Sequence, residues 1–231
     1  MKFIVDKELF NLIPNVCFGV IIAHDIDNSK EYPEIESFLD NEIENITKKY
    51  QDVKAKEIPE IELYREAFRK IGINPNKYMS SIEALVTRTL KSKMVPHINP
   101  LVDLGNALSL KYIIPLGIHD IDKVKGDIEV RPATKEDRFV PFGETESETP
   151  DEGEIIYVSG NDVRTRRWIW RQGENGKVDS SIKNAFIPLD GFIENKESIL
   201  SLQEEFENKL KNYGIKCTKG FIDKDNNMFE F

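Results

Sequence analysis

The tetrapeptide His-Asp-Ile-Asp occurs twice in this chain, at residues 24–27 and 119–122, and each copy follows an apolar run. Imidazole and carboxylate groups together are common ligands of transition metals, so one interpretation is a shared metal site. Its ligands would be His24, Asp25, His119 and Asp120. The sequences that flank the two copies differ, which excludes an internal duplication. Two unrelated strand ends are the simpler interpretation, and no bound metal is expected.

A polar stripe runs along the otherwise apolar segment 100–110. Asn99, Asp103 and Asn106 are spaced at i, i+4 and i+7, so they share one face of a helix. Gly105, inside the same segment, lowers helix stability by about 1 kcal/mol relative to alanine. Buried polar groups need partners, because an unpaired one costs about 1–3 kcal/mol. The stripe therefore either forms a hydrogen-bonded network with neighbouring loops or braces a pocket.

The segment "VRTRRWIWRQGEN" contains both tryptophans of the chain and a cluster of arginines. Alternation along a strand would place Arg166, Trp168 and Gln172 on one face and Arg171 on the other. Arginine binds phosphates and carboxylates, and tryptophan stacks on bases. This pattern favours a ligand-binding surface. The alternative is a strand whose tryptophans are core residues and whose arginines pair with the acidic segment 143–154.

These candidate residues lie among helices and strands that the hydrophobic periodicity predicts. Helices are predicted near residues 32–50, 60–72, 80–91, 100–110 and 195–214, with N-caps at Ser80 and Asn99 in two of them. Short apolar runs predict strands at residues 17–24, 111–117, 127–133, 154–160, 166–172 and 184–192. The predicted class is α+β, with a mixed or antiparallel sheet and packed helices.

The composition limits the possible classes of protein. With 231 residues, 39% of them hydrophobic, the chain can bury the core of one large domain. Its net charge of −9 argues against a protein that coats nucleic acid by charge alone, although a local basic patch is compatible with RNA binding. We expect no contact with a membrane, because no apolar stretch reaches the roughly 20 residues of a membrane helix. Two cysteines without metal-site spacing fit a reduced, cytoplasmic protein.

Two long segments resemble the B3/B4 editing domain of the phenylalanyl-tRNA synthetase β subunit. They are "YREAFRKIGINPNKYMSSIEALVTRTL" and "PHINPLVDLGNALSLKYIIPLGIHDIDKVKGDIEVRPA". In the second segment, the residues in the register of the family include Pro96, Asn99, Val102, Asp103 and Asn106. The segment "VRTRRWIWRQGE" is similar to the form found in free-standing relatives. The resemblance covers about residues 64–192 and implies one domain, 1–231, with an N-terminal strand and helix and a C-terminal helix as additions.

In the synthetase, this domain hydrolyses the ester of tyrosine wrongly attached to phenylalanine tRNA. The resemblance therefore implies a cytoplasmic enzyme that deacylates mischarged tRNA in trans. Its partner would be the aminoacylated 3′ end of tRNA, and it would need no cofactor. An aminoacyl ester is already activated, so a positioned water and donors for the oxyanion suffice. The alternatives are a non-catalytic module that binds an amino acid, nucleotide or RNA, and a metal-dependent hydrolase.

The resemblance also assigns roles to individual residues. The pocket glutamate of the family corresponds to Glu174, and the family histidine, two residues after a proline, falls on Gly117. His119 lies two positions further and would point the same way on a strand, so it is the candidate for positioning water. The residues predicted to hold the tRNA end or the amino acid are Arg166, Trp168, Arg171 and Gln172. The residues predicted to brace the pocket are Asn99, Asp103 and Asn106.

Overall fold

The chain forms two β-sheets with helices packed against them, in a computed structural model that describes residues 1–231. The strands are β1 (Lys2–Val5), β2 (Val16–His24), β3 (His119–Asp120), β4 (Ile128–Pro132), β5 (Ile155–Ser159), β6 (Asp162–Arg166), β7 (Arg171–Gln172), β8 (Ala185–Phe192), β9 (Lys216–Ile222) and β10 (Met228–Glu230). The helices are α1 (Lys7–Leu12), α2 (Pro33–Lys49), α3 (Pro59–Lys70), α4 (Ser81–Ser92), α5 (Pro100–Tyr112) and α6 (Lys196–Asn212). The predicted α+β class is confirmed. None of the helices combines the length and apolar character that crossing a membrane requires.

The two sheets join distant parts of the chain. One has six strands in the order β10-β1-β4-β5-β6-β7, with β1 and β4 parallel and the other neighbours antiparallel. The other is an antiparallel sheet of four strands in the order β3-β8-β2-β9. Because β1 lies between β10 and β4, the first and last strands of the chain are hydrogen-bonded to each other.

Aromatic side chains from the two sheets meet in the core. The ring of Phe3 on β1 lies 5.7 Å from that of Phe18 on β2 and 4.8 Å from that of Phe186 on β8. Strands β2 and β8 are buried along nearly their whole length, which explains their unbroken apolar sequences. Asp190 is the acidic residue of β8, and it lines a small cavity.

The helix starts agree with the capping residues expected from the sequence. The Asn99 side chain accepts a hydrogen bond from the Val102 N–H at 3.0 Å, and Pro100 is the first residue of α5. The Ser80 hydroxyl accepts a hydrogen bond from the Glu83 N–H at 3.3 Å at the start of α4. These local interactions fix where the two helices begin.

The strand predicted at residues 111–117 is wrong. Helix α5 continues to Tyr112 and ends at Ile113, whose φ of 54° is left-handed. Beyond that point, Leu116 makes only an isolated bridge to Leu189 on β8. The apolar run is therefore the buried end of a helix followed by a short connection to β3.

The continuous strand predicted at residues 166–172 is also wrong, because the chain turns between β6 and β7. Arg167 and Trp168 both have left-handed backbone conformations, with φ of 48° and 60°. The indole N–H of Trp168 donates a hydrogen bond to the Asp190 carboxylate at 2.7 Å. This buried tertiary contact holds the turn and overrides the alternating pattern of the sequence.

Candidate functional site

The polar stripe of α5 divides into two parts, of which the first is structural. Asp103 is buried, and its carboxylate accepts a hydrogen bond from the Ile98 N–H at 2.9 Å and contacts Nδ1 of His97 at 3.0 Å. The second contact raises the pKa of His97. The Asn99 amide donates to the Val178 carbonyl at 3.3 Å. Asp103 and Asn99 thus tie α5 to neighbouring loops.

Asn106 is the member of the stripe that reaches a cavity. Its half-buried side chain has no hydrogen-bond partner within the protein and lines a depression of about 230 Å³. This depression, which we call the groove, lies between α5, residues 116–118 and residues 172–178. The groove is largely apolar, and its polar side chains come from Asn106, Gln172 and Lys177. A mostly apolar cavity with a few polar groups is typical of small-molecule sites.

Gly105 allows Leu116 and Ile118, in the wall of the groove, to lie close to α5. A Cβ atom at this position would lie 2.9 Å from Cδ1 of Ile118 and 3.1 Å from Cδ2 of Leu116. These separations are shorter than ordinary van der Waals contact, so a larger residue would push the wall away from α5. The helix-interior glycine therefore has a packing role at the site.

The arginines of the turn are mostly paired with the acidic segment. Arg166 is buried and makes two parallel hydrogen bonds to Glu154, at 2.9 and 2.7 Å, and a third to Glu148 at 2.5 Å. Arg167 pairs with Asp151 at 3.1 Å. The prediction that Arg166 contacts a tRNA end is therefore corrected, because its guanidinium is buried and each of its three nitrogens already donates to a carboxylate.

The other predicted contact residues of this segment differ in accessibility. Trp168 is fully buried, so the predicted stacking of its ring on a tRNA base is also corrected. The Gln172 amide donates to the carbonyl oxygens of Ile118 at 2.9 Å and Gly176 at 2.6 Å, which closes the wall of the groove. Arg171 is exposed and makes no ion pair within the protein. Of the two predicted arginines, Arg171 is thus the one that is free to bind an anion.

A smaller cavity of about 60 Å³ adjoins the groove, and we call it the inner cavity. It shares Leu116 and Gln172 with the groove. The buried side chains in its wall include those of His119, Tyr157, Trp168 and Asp190. Its rim includes the half-exposed Gly117 and the exposed Arg171, so the cavity opens to solvent on this side.

His119 is a buried, neutral residue of the inner cavity. Burial, aided by the positive charge of Arg164, lowers the pKa of His119 to about 3. Its Nδ1 is buried without a hydrogen-bond partner. A Cβ atom at Gly117 would lie 3.0 Å from Nε2 of His119. The imidazole therefore lies beside the position at which the resemblance expects a histidine.

Asp190 is a residue of the site that sequence reasoning missed. Burial raises the pKa of its carboxyl to about 7. The Tyr157 hydroxyl and the Trp168 indole N–H both donate to its Oδ1, at 2.6 and 2.7 Å. The available sequence signal was a lone acidic residue in the apolar run "NAFIPLDGF". Such a residue in a buried strand requires partners, and here one oxygen has two and Oδ2 has none within the protein.

Glu174 lies outside both of these cavities. Its carboxylate accepts a hydrogen bond from the Gly143 N–H at 2.8 Å and contacts Lys177 at 3.4 Å. The first of these interactions lowers the pKa of Glu174, so the side chain is ionised at neutral pH. It lines a wide, polar depression of about 780 Å³, the outer basin, which also contains Lys123, Lys125 and Lys177. The two predicted catalytic residues, Glu174 and His119, do not line the same cavity, although Lys177 borders both the basin and the groove.

The two His-Asp-Ile-Asp copies converge at one end of the four-stranded sheet. Strands β2 and β3 flank β8, and Asn184 lies just before β8 between them. The Asn184 side chain contacts Nδ1 of His24 at 3.1 Å and donates to Asp122 at 2.7 Å. Asp120 pairs with Lys123 at 2.8 Å. No group of three or more His, Cys, Asp or Glu side chains has the arrangement of a metal site.

Comparisons with known proteins identify relatives of this chain. The model of the B3/4 domain family matches residues 63–223. The phenylalanine–tRNA ligase β subunit of Mycoplasmoides gallisepticum is 35% identical over 122 residues, which make up 52% of this chain and 15% of that protein. An N-terminal fragment of the phenylalanyl-tRNA synthetase β subunit from Pyrococcus horikoshii is 13% identical, with a TM-score of 0.47 over 95% of this chain and 53% of that one. The chain thus spans a small part of the length of the ligase subunit.

Proposed function

This chain belongs to the B3/4 domain family, and we propose that it hydrolyses the ester bond of mismatched aminoacyl-tRNA in trans. The observation that carries the proposal is the groove beside α5. There Asn106, from the segment that resembles the synthetase editing domain, presents a free amide to a largely apolar cavity. A trans-acting deacylase of this kind would meet charged tRNA in the cytoplasm.

The chemistry requires little from the protein, because an aminoacyl ester is already activated. Water attacks the ester carbonyl carbon, the carbonyl oxygen becomes an oxyanion, and the bond to the ribose oxygen then breaks. Preorganised donors at the oxyanion are the largest contribution in reactions of this type. Asn106 has an amide without a partner, and Lys177 adds a positive charge to the same groove. These two side chains are our candidates for stabilising the oxyanion.

Glu174 and His119 supply the remaining polar groups in this proposal. Glu174 is ionised in the outer basin, which meets the groove at Lys177, and there it can orient water. His119 stays neutral, so its Nε2 can hold a water molecule at the side of the inner cavity. Neither residue needs to form a covalent intermediate.

Binding of the tRNA end would rest on a few local cations, because the net charge of the protein is −9. Arg171 is exposed and unpaired at the rim of the inner cavity. Lys123, Lys125 and Lys177 surround the outer basin, although acidic side chains lie among them. We propose that Arg171 and these lysines contact phosphates of the 3′ end, which makes binding sensitive to salt.

The decisive experiment is to incubate the protein with a panel of mischarged tRNAs and measure loss of the ester. Glu174→Gln keeps the shape of the side chain and removes its charge, so hydrolysis should slow by about 100-fold or more. The matched control is Glu146→Gln, at an exposed glutamate of the acidic segment without an ion pair, and it should hydrolyse normally. Wild-type protein that leaves every ester at its spontaneous rate of decay would overturn the proposal.

A non-catalytic module that binds tRNA, RNA or an amino acid is the second candidate. It is favoured by the separation of Glu174 from His119 and by Gly117 in place of the family histidine. In that case neither wild type nor Glu174→Gln would change the lifetime of any charged tRNA, but both would bind the 3′ end. Parallel binding and hydrolysis measurements on the same tRNA panel separate the two candidates.

We also propose that residues 1–231 form a single domain. Strand β1 carries the fully buried Phe3 and Val5 and joins β10 to β4. Deleting Met1–Val5 should therefore prevent cooperative unfolding and expose the core, as judged by binding of a hydrophobic dye. A truncated protein that unfolds as cooperatively as the full chain would show the N-terminal strand to be dispensable.

A further inference from the structure

The base of the inner cavity contains a carboxylate that is only half satisfied. Asp190 is 2% exposed, and both of its side-chain hydrogen bonds, from Tyr157 and Trp168, end on Oδ1. Oδ2 has no partner in the protein, and the residue forms part of the cavity wall. Oδ2 is not fully enclosed by the protein, so it reaches the cavity and can accept a hydrogen bond from a ligand there.

The surroundings of this oxygen favour a cationic donor. The cavity of about 60 Å³ has room for a group of only a few heavy atoms. Its walls include Tyr157, Trp168 and Trp170, whose aromatic rings are of the kind that attracts cations, and Trp170 already has the Arg167 guanidinium 4.8 Å from its ring centroid. His119 is neutral there and adds no positive charge. The positive side chains nearby are Arg171, which is exposed and therefore screened by water, and Arg164, which acts on His119 but pairs with Asp162 at 3.4 Å.

The opening of the inner cavity is wide because Gly117 has no side chain. A Cβ atom at Gly117 would lie 3.0 Å from the His119 ring and 3.4 Å from Cγ of Pro188, so a larger residue would narrow the opening. The glycine leaves the inner cavity open beside His119 and Pro188, and the groove, where the ester would lie, adjoins this cavity at Leu116 and Gln172. An aminoacyl ester in the groove would therefore lie next to the inner cavity.

We propose that the inner cavity binds a protonated amino group of the aminoacyl substrate, with Asp190 as its counter-ion and specificity residue. This inference rests on the proposed function, because it assumes that the groove holds an aminoacyl ester. The amino group comes either from the α position or from a basic side chain. In both cases an N–H of the ammonium donates to Oδ2 of Asp190.

The test uses stable amides of 3′-amino-3′-deoxyadenosine with three amino acids, and measures their dissociation constants by calorimetry. Lysine supplies both amines, norleucine lacks the side-chain amine, and Nα-acetylnorleucine lacks both. If the side chain provides the amine, the lysyl probe binds about 10- to 100-fold more tightly than the norleucyl probe. If the α-amine provides it, the first two probes bind alike and acetylation causes the same loss.

In either case, Asp190→Asn should abolish the preference for the amine while keeping an acceptor for Tyr157 and Trp168. Asp52→Asn is the matched control: Asp52 is exposed, has no ion pair and lines none of the three cavities, so this variant should retain the preference. Equal affinity of the wild type and Asp190→Asn for all three probes would overturn the inference, and so would failure of the wild type to bind any probe.

A measurement on the wild type makes the test independent of whether Asp190→Asn folds. Both amines of the lysyl probe are largely protonated between pH 5 and 7, because an α-amino group has a pKa of about 7.7–8.0, whereas Asp190, whose pKa lies near 7, loses its charge at pH 5. Affinity for the amine should therefore fall about 10- to 50-fold from pH 7 to pH 5, and affinity for Nα-acetylnorleucine should stay constant. The other titratable groups around Asp190 do not interfere: burial raises the pKa values of Tyr157, Tyr64 and Cys17 and lowers that of His119 to about 3.

Failure of the amine site and failure of hydrolysis give different results. If esters are hydrolysed but affinity depends neither on the amine nor on Asp190, only the proposed amine site is contradicted. A clear amine preference with no hydrolysis of any ester removes the enzymatic proposal and leaves a binding site for amines. A constant affinity of the lysyl probe across the pH range would contradict the role of Asp190 directly.

Discussion

The turn between β6 and β7 separates two clusters of buried charge that are built in opposite ways. On one side, Arg166 lies between Glu148 and Glu154, and each of its three guanidinium nitrogens has a carboxylate partner. On the other side, Asp190 and His119 each keep a polar atom without a partner in the inner cavity. A saturated buried cluster contributes to folding, whereas an unsaturated one beside a cavity is available to a ligand.

The comparison matters because one short segment that looks uniform in the sequence contributes to both clusters, through Arg166 to the first and through Trp168 to the second. Arg166, Trp168 and Arg171 read together as a surface for nucleic acid. In the structure, the turn directs Arg166 to the acidic segment, buries Trp168 in the core and leaves Arg171 in solvent. Of these three residues, Arg166 is structural, Trp168 lies in the core and Arg171 is accessible. A substitution is therefore expected to have a different effect at each position.

The largest effect is expected from breaking the saturated cluster. Arg166→Leu removes the bidentate partner of Glu154 and leaves this carboxylate only its contacts with Arg167, from the backbone N–H at 2.9 Å and the guanidinium at 3.5 Å. Removing one member of a buried ion pair typically costs about 3–5 kcal/mol. Urea unfolding should show this loss, while folded protein at low temperature should keep its affinity for the tRNA 3′ end. A stable variant with lost affinity would instead show that Arg166 contacts the ligand.

The next largest effect concerns His119 and acid. Its folded-state pKa of about 3 lies below the ordinary value of 6.5, so its stabilising contribution is full above pH 6.5 and is lost as the pH falls towards 3. His119→Phe keeps an aromatic ring between Tyr157 and Phe186 and removes the titration. Between pH 7.5 and pH 4, the free energy of unfolding should fall by about 3 kcal/mol more in the wild type than in the variant. Parallel pH profiles for the two proteins would mean that the imidazole is hydrated in solution.

Asp190 should show the opposite pH dependence, with a slightly smaller amplitude. Its folded-state pKa of about 7 lies above the ordinary 3.8, so its stabilising contribution is present below pH 3.8 and is lost as the pH rises through 7. Relative to the wild type, Asp190→Asn should gain roughly 2–3 kcal/mol of unfolding free energy between pH 5 and pH 8. Urea titrations at the two pH values measure it. A difference that stays constant would show that the folded-state pKa of Asp190 is not raised into this range of pH.

The sequence predicts the local parts of this structure better than the parts that depend on distant contacts. Ser80 and Asn99 mark the helix starts because capping is a matter of a few neighbouring residues. The turn at Trp168 is not predictable in this way, since it is held by Asp190, which is distant in sequence. The pairing of β1 with β10 is equally non-local and leaves no periodic pattern.

The candidate site shows the same limit. The stripe on α5 was identified from helical spacing, but spacing does not reveal that Asp103 and Asn99 have loop partners and Asn106 has none. The role of Asp190 depends on which of its two oxygens meets a donor. That property arises only when three separate segments pack together.

The smallest effect on stability, and the sharpest contrast with Arg166, is expected at Arg171. This side chain is exposed and has no ion pair, so Arg171→Gln should change the unfolding free energy by less than about 0.5 kcal/mol. If Arg171 binds a phosphate of the tRNA 3′ end, the variant should bind several-fold more weakly, and the slope of log affinity against log salt should decrease by about 1. Arg88→Gln is the matched control, because Arg88 is also exposed and unpaired but lies on α4, away from the three cavities. The two variants should be equally stable, and only Arg171→Gln should lose affinity. Equal affinities and equal salt slopes would show that the accessible arginine of the turn is ordinary surface, and that the inner cavity binds its ligand without a phosphate contact at its rim.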